Sequence, residues 1–264
     1  MDYQYILLDV KDRIATVTIN RPEYSNAFAR ESYFEIADAM NTLGAREDVG
    51  AIVITGAGKH FSAGGDIKRF KMLVDTGAYL KAEDIEAVSA MPMSIRNCPK
   101  PVIAMINGVA TGAGLSCALA CDFRIVEPSS KMIMAFVNMG LCGDNESIYT
   151  LMRLVGPDKA ELMMMTGDAY KGEQCVKTGL ATVLAEDGKL AETTYALAAK
   201  LASKSSTAHA GQKRLIRKYF YGGMENFAKD EGIEMAAASR QPDFTEAVNA
   251  FIEKRMPAYN LPHK

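Results

Sequence analysis

The period of the hydrophobic positions changes along the chain, and the change predicts an α/β first part followed by a helical second part. Over residues 13–19 polar and apolar side chains alternate as in a half-buried strand, and Arg21-Pro22 ends the run. Residues 32–43 place Tyr33, Phe34, Ile36, Ala37, Met40 and Leu43 at helical spacing. Residues 51–55 and 102–106 are apolar runs of the kind found in strands covered on both faces. Each of these empties into a loop of small residues and then into an expected helix. Beyond Ala160 helix dominates, over 190–203, 212–221, 227–238 and 244–254, with Pro257 closing the last. No repeat, low-complexity tract or linker interrupts the pattern.

Composition narrows the picture mainly by exclusion. A chain of 264 residues with a net charge of −2 has the balance of an ordinary globular protein. It offers no long-range attraction to nucleic acid or to an acidic membrane. Five cysteines, none in a CxxC pair, argue against a disulfide framework or a structural zinc site. Cys117 and Cys121, four apart, read as buried thiols on one helix face. No apolar run is long enough to span a bilayer. No basic segment or long apolar stretch precedes Asp9, so a secretory leader is not expected and the cytoplasm is the expected compartment.

Candidate chemistry concentrates in two loops. One runs Gly56-Ala57-Gly58-Lys59-His60-Phe61-Ser62-Ala63-Gly64-Gly65-Asp66-Ile67, the other Asn107-Gly108-Val109-Ala110-Thr111-Gly112-Ala113-Gly114-Leu115-Ser116. Small residues after buried strands let backbone N–H groups approach a ligand, and a helix starting there adds partial positive charge. Tight packing alone accounts for such loops equally well. Gly58-Lys59 lacks the spacing of a phosphate-binding P-loop, and no GxGxxG, HExxH or GxSxG pattern occurs. Ser62 reads as a loop residue rather than a nucleophile.

Taken together, the loops resemble the two signatures of the crotonase (enoyl-CoA hydratase/isomerase) superfamily. Asn20-Arg21-Pro22 with Asn26-Ala27 resembles its N-terminal motif, and Cys121-Asp122, Gly140-Leu141, Arg153-Leu154-Val155-Gly156 and Gly179-Leu180-Ala181 follow in the family's order. Glu253 to Pro257 resembles its closing segment. The resemblance implies a ClpP/crotonase-like α/β fold, a ββα superhelix core over residues 1–195 that binds and processes acyl-CoA. Residues 196–264 would form a C-terminal helical region for trimerisation, giving a homotrimer or homohexamer. By the same resemblance the backbone N–H groups of Ala63 and Ala113 form an oxyanion hole around the thioester oxygen. Asn26, Ala27 and the segment Ala63, Gly64, Gly65, Asp66 and Ile67 cradle the CoA, with Gly112, Ser116 and Phe136 along the substrate. Lys59 and Lys68 read as solvated charges before phosphate ligands, and Lys254 likewise as a solvated charge before a residue that reaches a neighbouring subunit's CoA, as in relatives. No metal or redox cofactor is implied, since CoA arrives with the substrate.

The reaction is less fixed. The two glutamates of the family's hydratases correspond to Ser116 and Phe136 here, and neither handles a proton as a carboxylate does. Asp144 falls where the isomerase branches place an acid, although Gly143 replaces their usual proline. One carboxylate suffices to shift a double bond when an oxyanion hole holds the dienolate, and Leu115, Phe136, Met139 and Leu141 are expected to make its surroundings apolar. The competing role for Asp144 is a cap on a helix starting near Asn145. Glu146 is a weaker second candidate, expected to be exposed. Other readings are an enoyl-CoA hydratase with atypical acidic residues, a hydrolase or dehalogenase using an Asp nucleophile as in a related dehalogenase, whose histidine partner would fall near Ser89, and a non-catalytic CoA-binding scaffold. RNA binding, known in one relative, finds no basic helix here.

Overall fold

The computed structural model describes residues 3–259. Strands β1 (Ile6–Lys11) and β2 (Ile14–Ile19) form a hairpin whose two-residue turn, Asp12-Arg13, has positive φ at both positions. Arg13 therefore belongs to the turn and not to the strand. Helix α1 (Arg30–Ala45) then leads to β3 (Ala51–Gly56), every residue of which is buried. Helices α2 (Ile67–Thr76), α3 (Ala82–Val88) and α4 (Ala90–Asn97) precede β4 (Val102–Ile106) and β5 (Val109–Thr111). Helix α5 (Ala113–Ala120) follows, with β6 (Phe123–Val126) and β7 (Lys131–Ile133) after it. The chain continues through α6 (Ser147–Val155), α7 (Pro157–Thr166), β8 (Ala169–Lys171), α8 (Gly172–Thr178) and β9 (Val183–Leu184). Four helices complete it: α9 (Leu190–Ala202), α10 (Ser206–Tyr219), α11 (Met224–Ala238) and α12 (Pro242–Ile252).

The main sheet has six strands in the order β1-β2-β3-β4-β6-β9, and a second has β5-β7-β8. From β2 to β9 the main sheet is parallel, with Ile14 opposite Ala51, Ile52 opposite Val102 and Ile103 opposite Phe123. Both faces are covered, which is why β3 and β4 read as continuous apolar runs. On one face Ile14, Val53, Ile103 and Ile125 pack against Ala198 and Ala202 of α9. That approach is close: a Cβ at Gly50 would lie 2.9 Å from the Ala202 backbone. On the other face lies the larger core, through which α5 runs with all eight residues buried. A helix apolar on every side is one surrounded by protein. Cys117 and Cys121 are buried there, as the spacing suggested, although Cys121 is the residue that ends α5. Among the described residues no helix is long and apolar enough to cross a membrane.

Candidate active site

The two small-residue loops pack against one another. Ser62 donates its N–H to Val109 O (3.0 Å) and accepts from Thr111 N (3.1 Å), a short parallel bridge between the loop after β3 and strand β5. Glycine is required where they touch. Gly64 has φ +88°, and a Cβ there would sit 2.7 Å from Thr111 O; a Cβ on Gly114 would sit 2.6 Å from that of Ser62. The Ser62 hydroxyl donates to Asn26 O (2.7 Å) and accepts from Gly64 N (3.2 Å), the loop-fixing role its sequence context suggested.

Asn26, expected to help cradle CoA, clasps the loops together. It is fully buried, in a left-handed conformation, and its side chain joins Arg21 N, Ala57 O and His60 O. Ala27 is also buried, with its carbonyl held by Arg21 Nη1. Asp66 caps α2 by accepting from Lys68 N and pairs with Arg21 Nη2 at 3.0 Å.

A cavity of about 120 Å3 opens where the loops meet. The peptides of Gly65, Gly112 and Ala113 form one wall, beside Ala63, Asp66 and Ile67. The Ala63 N–H, expected as an oxyanion donor, is donated to Ser25 O at 3.0 Å, so it has an acceptor already. Among the described residues the N–H of Gly65 has none. Ala113 is the first residue of α5, where the helix leaves its N–H groups without internal acceptors and presents its positive end. The pair of free donors at the cavity is therefore Gly65 with Ala113, a shift of two residues from the expected first donor.

Asp144 also lines the cavity, with Phe136, Met139 and Leu141. Leu115, expected to join them, lies in the core instead, because α5 is buried all round. Asp144 is 7% exposed, and its Oδ1 is buried without a hydrogen-bond partner. Burial pushes the carboxyl up to about 6, against the opposing pull first of the Asn145 side chain and then of the Arg69 guanidinium. The capping role fails. Helix α6 begins at Ser147 and not near Asn145, because Asn145 and Glu146 are left-handed (φ 55° and 53°) and cannot continue a helix. No side chain caps it; Asp144 contributes only its carbonyl, which accepts from Ser147 N (3.1 Å) and the Ser116 hydroxyl (3.3 Å).

Glu146 departs from the expectation of exposure: it is wholly buried beneath α11, and both carboxyl oxygens lack hydrogen-bond partners. Burial raises it to about 8. Neither Glu146 nor Ser116 lines the cavity, whereas Phe136 does. Lys254 is exposed, in a left-handed conformation just past α12, and Gly64 lies buried behind the wall.

Sequence reasoning missed part of the lining. Tyr33 of α1 and Arg69 of α2 face the cavity, as do Met235 of α11 and Phe251 of α12. The C-terminal helices thus share in the site. Tyr33, read as one residue of an apolar stripe, is buried with its phenol raised well above the ordinary value by burial and by the Asp144 charge. Glu231 signalled itself weakly, as an acid on the same helical stripe as Ala228 and Met235.

Comparison with known proteins agrees with the geometry. A family described as Enoyl-CoA hydratase/isomerase matches residues 9–261. Trans-2-decenoyl-[acyl-carrier-protein] isomerase of Streptococcus mutans is 31% identical, covering 98% of this chain and 99% of the relative. 1,2-Epoxyphenylacetyl-CoA isomerase of Escherichia coli is 30% identical over 97% of this chain and 98% of its own. The crystal structure of an enoyl-CoA hydratase from Mycobacterium avium subsp. paratuberculosis superimposes with a TM-score of 0.88 at 26% identity, over 98% of this chain and 100% of that one.

Proposed function

We propose that the protein, which belongs to the enoyl-CoA hydratase/isomerase family, shifts a carbon–carbon double bond in an acyl-CoA by means of one carboxylate. The observation that carries this reading is the lining of the cavity. Asp144 is the carboxylate there with an unpaired oxygen, since Asp66 is tied to Arg21. Ser116 and Phe136 supply no second acid. Asp144 takes a proton from the carbon next to the thioester, and the electrons move into the carbonyl to give a dienolate. The N–H groups of Gly65 and Ala113 stabilise the oxygen, each such donor contributing roughly 3–4 kcal/mol in the transition state. Asp144 then returns the proton to the γ carbon, which completes the shift without change of mass. A carboxyl near 6 is ionised at neutral pH yet basic enough to hold the proton between the two steps.

The apolar walls keep water from the dienolate, which favours isomerisation over hydration. The names of relatives include both isomerases and a hydratase. The chemistry needs no metal or redox group, because CoA enters with the substrate. Exposed apolar side chains on α10, Leu215, Ile216 and Tyr219, support assembly with further copies, which we take to be a homotrimer or homohexamer. The test is a panel of 3-enoyl, 2-enoyl, dienoyl and aromatic acyl-CoAs, with products weighed by mass spectrometry. An isomer of unchanged mass supports the proposal. Gain of water, release of free CoA, or binding without turnover would replace it with a hydratase, a hydrolase or a scaffold.

A further inference from the structure

The turn that carries Asp144 is unusual in what it asks of its residues. Asn145 and Glu146 are consecutive non-glycine residues in the left-handed region, both buried, and Gly143 before them has φ +150°. Left-handed backbone is unfavourable for residues with a Cβ, so the surroundings must hold the turn in place. Glu146 is also the residue preceding α6, and its N–H needs an acceptor. Such an N–H is often taken by a carboxylate or amide three residues into the helix. Here that position is Tyr149, which cannot supply one. The acceptor comes instead from Glu231 of α11, 85 residues away, whose Oε2 lies 2.7 Å from Glu146 N.

Glu231 is itself 4% exposed, and its Oε1 has no hydrogen-bond partner. Four residues further along the same helix face, Met235 lines the acyl cavity. Helix α11 is held close at this level by Gly232, where a Cβ would meet Ala82 O at 3.0 Å. One helix thus supplies both an apolar wall residue and the acceptor that pins the turn.

We propose that Glu231 is a positioning residue for Asp144: its hydrogen bond to the Glu146 amide fixes the left-handed turn that holds the Asp144 carboxyl in the cavity. The proposal rests on the reading of Asp144 as the base. It assigns a part in the reaction to the C-terminal helices that is separate from subunit assembly.

The charges around the pair shape the readout. Glu231 faces Asp144, Glu146 and Cys142; Glu146 faces Asp144 and Ser89, with Arg217 of α10 and Glu225 of α11 also acting on it. Burial raises both glutamates, Glu146 to about 8, so Glu146 is held mostly uncharged at neutral pH beside the ionised base. Glutamine at 231 retains an oxygen acceptor for the Glu146 amide at nearly the same side-chain length. Leucine has the bulk without the acceptor, and aspartate withdraws it by one methylene.

The experiment compares Glu231→Gln, Glu231→Leu and Glu231→Asp in the double-bond shift, with kcat and KM taken across pH. Loss of the acceptor should lower kcat by about 10–100-fold, the scale of a displacement near 1 Å at a reacting group. KM should stay within about twofold, since the loops that hold CoA are untouched, and Gln should restore kcat to within about threefold. Wild-type kcat and acid limb in both the Leu and Asp variants would overturn the proposal, as would a Gln variant as impaired as Leu. If Leu does not fold, the Asp and Gln pair decides between the same outcomes. Carbon NMR titration of labelled Asp144 is run on the same proteins. A shifted Asp144 titration in the Asp variant supports positioning even if Asp144→Asn proves active, which would sink the base assignment alone. An unshifted titration, with Asp144→Asn inactive, sinks the positioning role alone.

Discussion

Replacing Asp144 with Asn should remove turnover and make the protein more stable, a combination that separates a buried base from a structural residue. Asn has nearly the same size, and the turn is held by the Glu231 carboxyl and by backbone bonds that the change leaves alone. What it removes is a charge kept in an apolar wall. Moving the ionisation from 3.8 to about 6 corresponds to roughly 3 kcal/mol of penalty on the charged form. The sign follows from linkage: below pH 3.8 the group is protonated whether folded or unfolded, and the penalty grows as pH rises, reaching its full value above about 6. The Asn variant should therefore gain up to about 3 kcal/mol in urea unfolding at pH 7.5 and gain nothing near pH 3.5. Turnover should fall by on the order of 10²–10⁴, the range for losing a general base. Acyl-CoA affinity measured by calorimetry should change little. An Asn variant with near-normal isomerisation and exchange of substrate protons with solvent would refute the assignment. A variant that loses stability at pH 7.5 would show that the carboxyl holds the loop after all.

Four further outcomes follow from the same geometry. Ala113→Pro removes the N–H at the first residue of α5, a position where helices accept proline, and should cost about 10²–10³ in kcat, measured against a melting temperature that changes little. Gly64→Ala forces a Cβ to 2.7 Å from Thr111 O at φ +88°, and should lower unfolding free energy by about 1–3 kcal/mol together with acyl-CoA affinity, checked by denaturant titration and calorimetry. Glu146, raised from 4.5 to about 8, should make the protein less stable as pH rises from about 4.5 to 8, by up to about 5 kcal/mol, a slope that thermal unfolding of Glu146→Gln should show flattened. Hydration of crotonyl-CoA should be very slow, since Phe136 lines the cavity and Ser116 does not; efficient formation of 3-hydroxybutyryl-CoA by the pure protein would contradict this.

The strands β2, β3 and β4 and the helices α1 and α9 were legible because each has a single strong period or an unbroken apolar run. Strand β1 was not: Ile6 is its one fully buried residue, while Leu7 and Leu8 are exposed on the sheet edge, so alternation is lost. The second sheet was hidden by strands of three residues, too short to show a period. Asp144 could be singled out by its position in a motif. Its apolar surroundings were legible from Phe136, Met139 and Leu141 nearby in sequence, but not the share of Met235 and Phe251, which α11 and α12 bring back from far along the chain. The same long-range packing buries Glu146, which local polarity in Asp144-Asn145-Glu146-Ser147 made look solvated. The choice between Ala63 and Gly65 as donor turned on a single hydrogen bond to Ser25, which no local pattern encodes.

The central claim is that one carboxylate carries a proton from the α to the γ carbon of a thioester-bound enoyl chain. It is tested most directly with a 3-enoyl-CoA deuterated at the α carbon, converted in ordinary water and analysed by mass spectrometry and NMR. The account predicts a 2-enoyl product with no added oxygen and a measurable fraction of the deuterium at the γ carbon, a transfer lost in Asp144→Asn. A product that has gained water, or γ deuterium undiminished in the Asn variant, would contradict it.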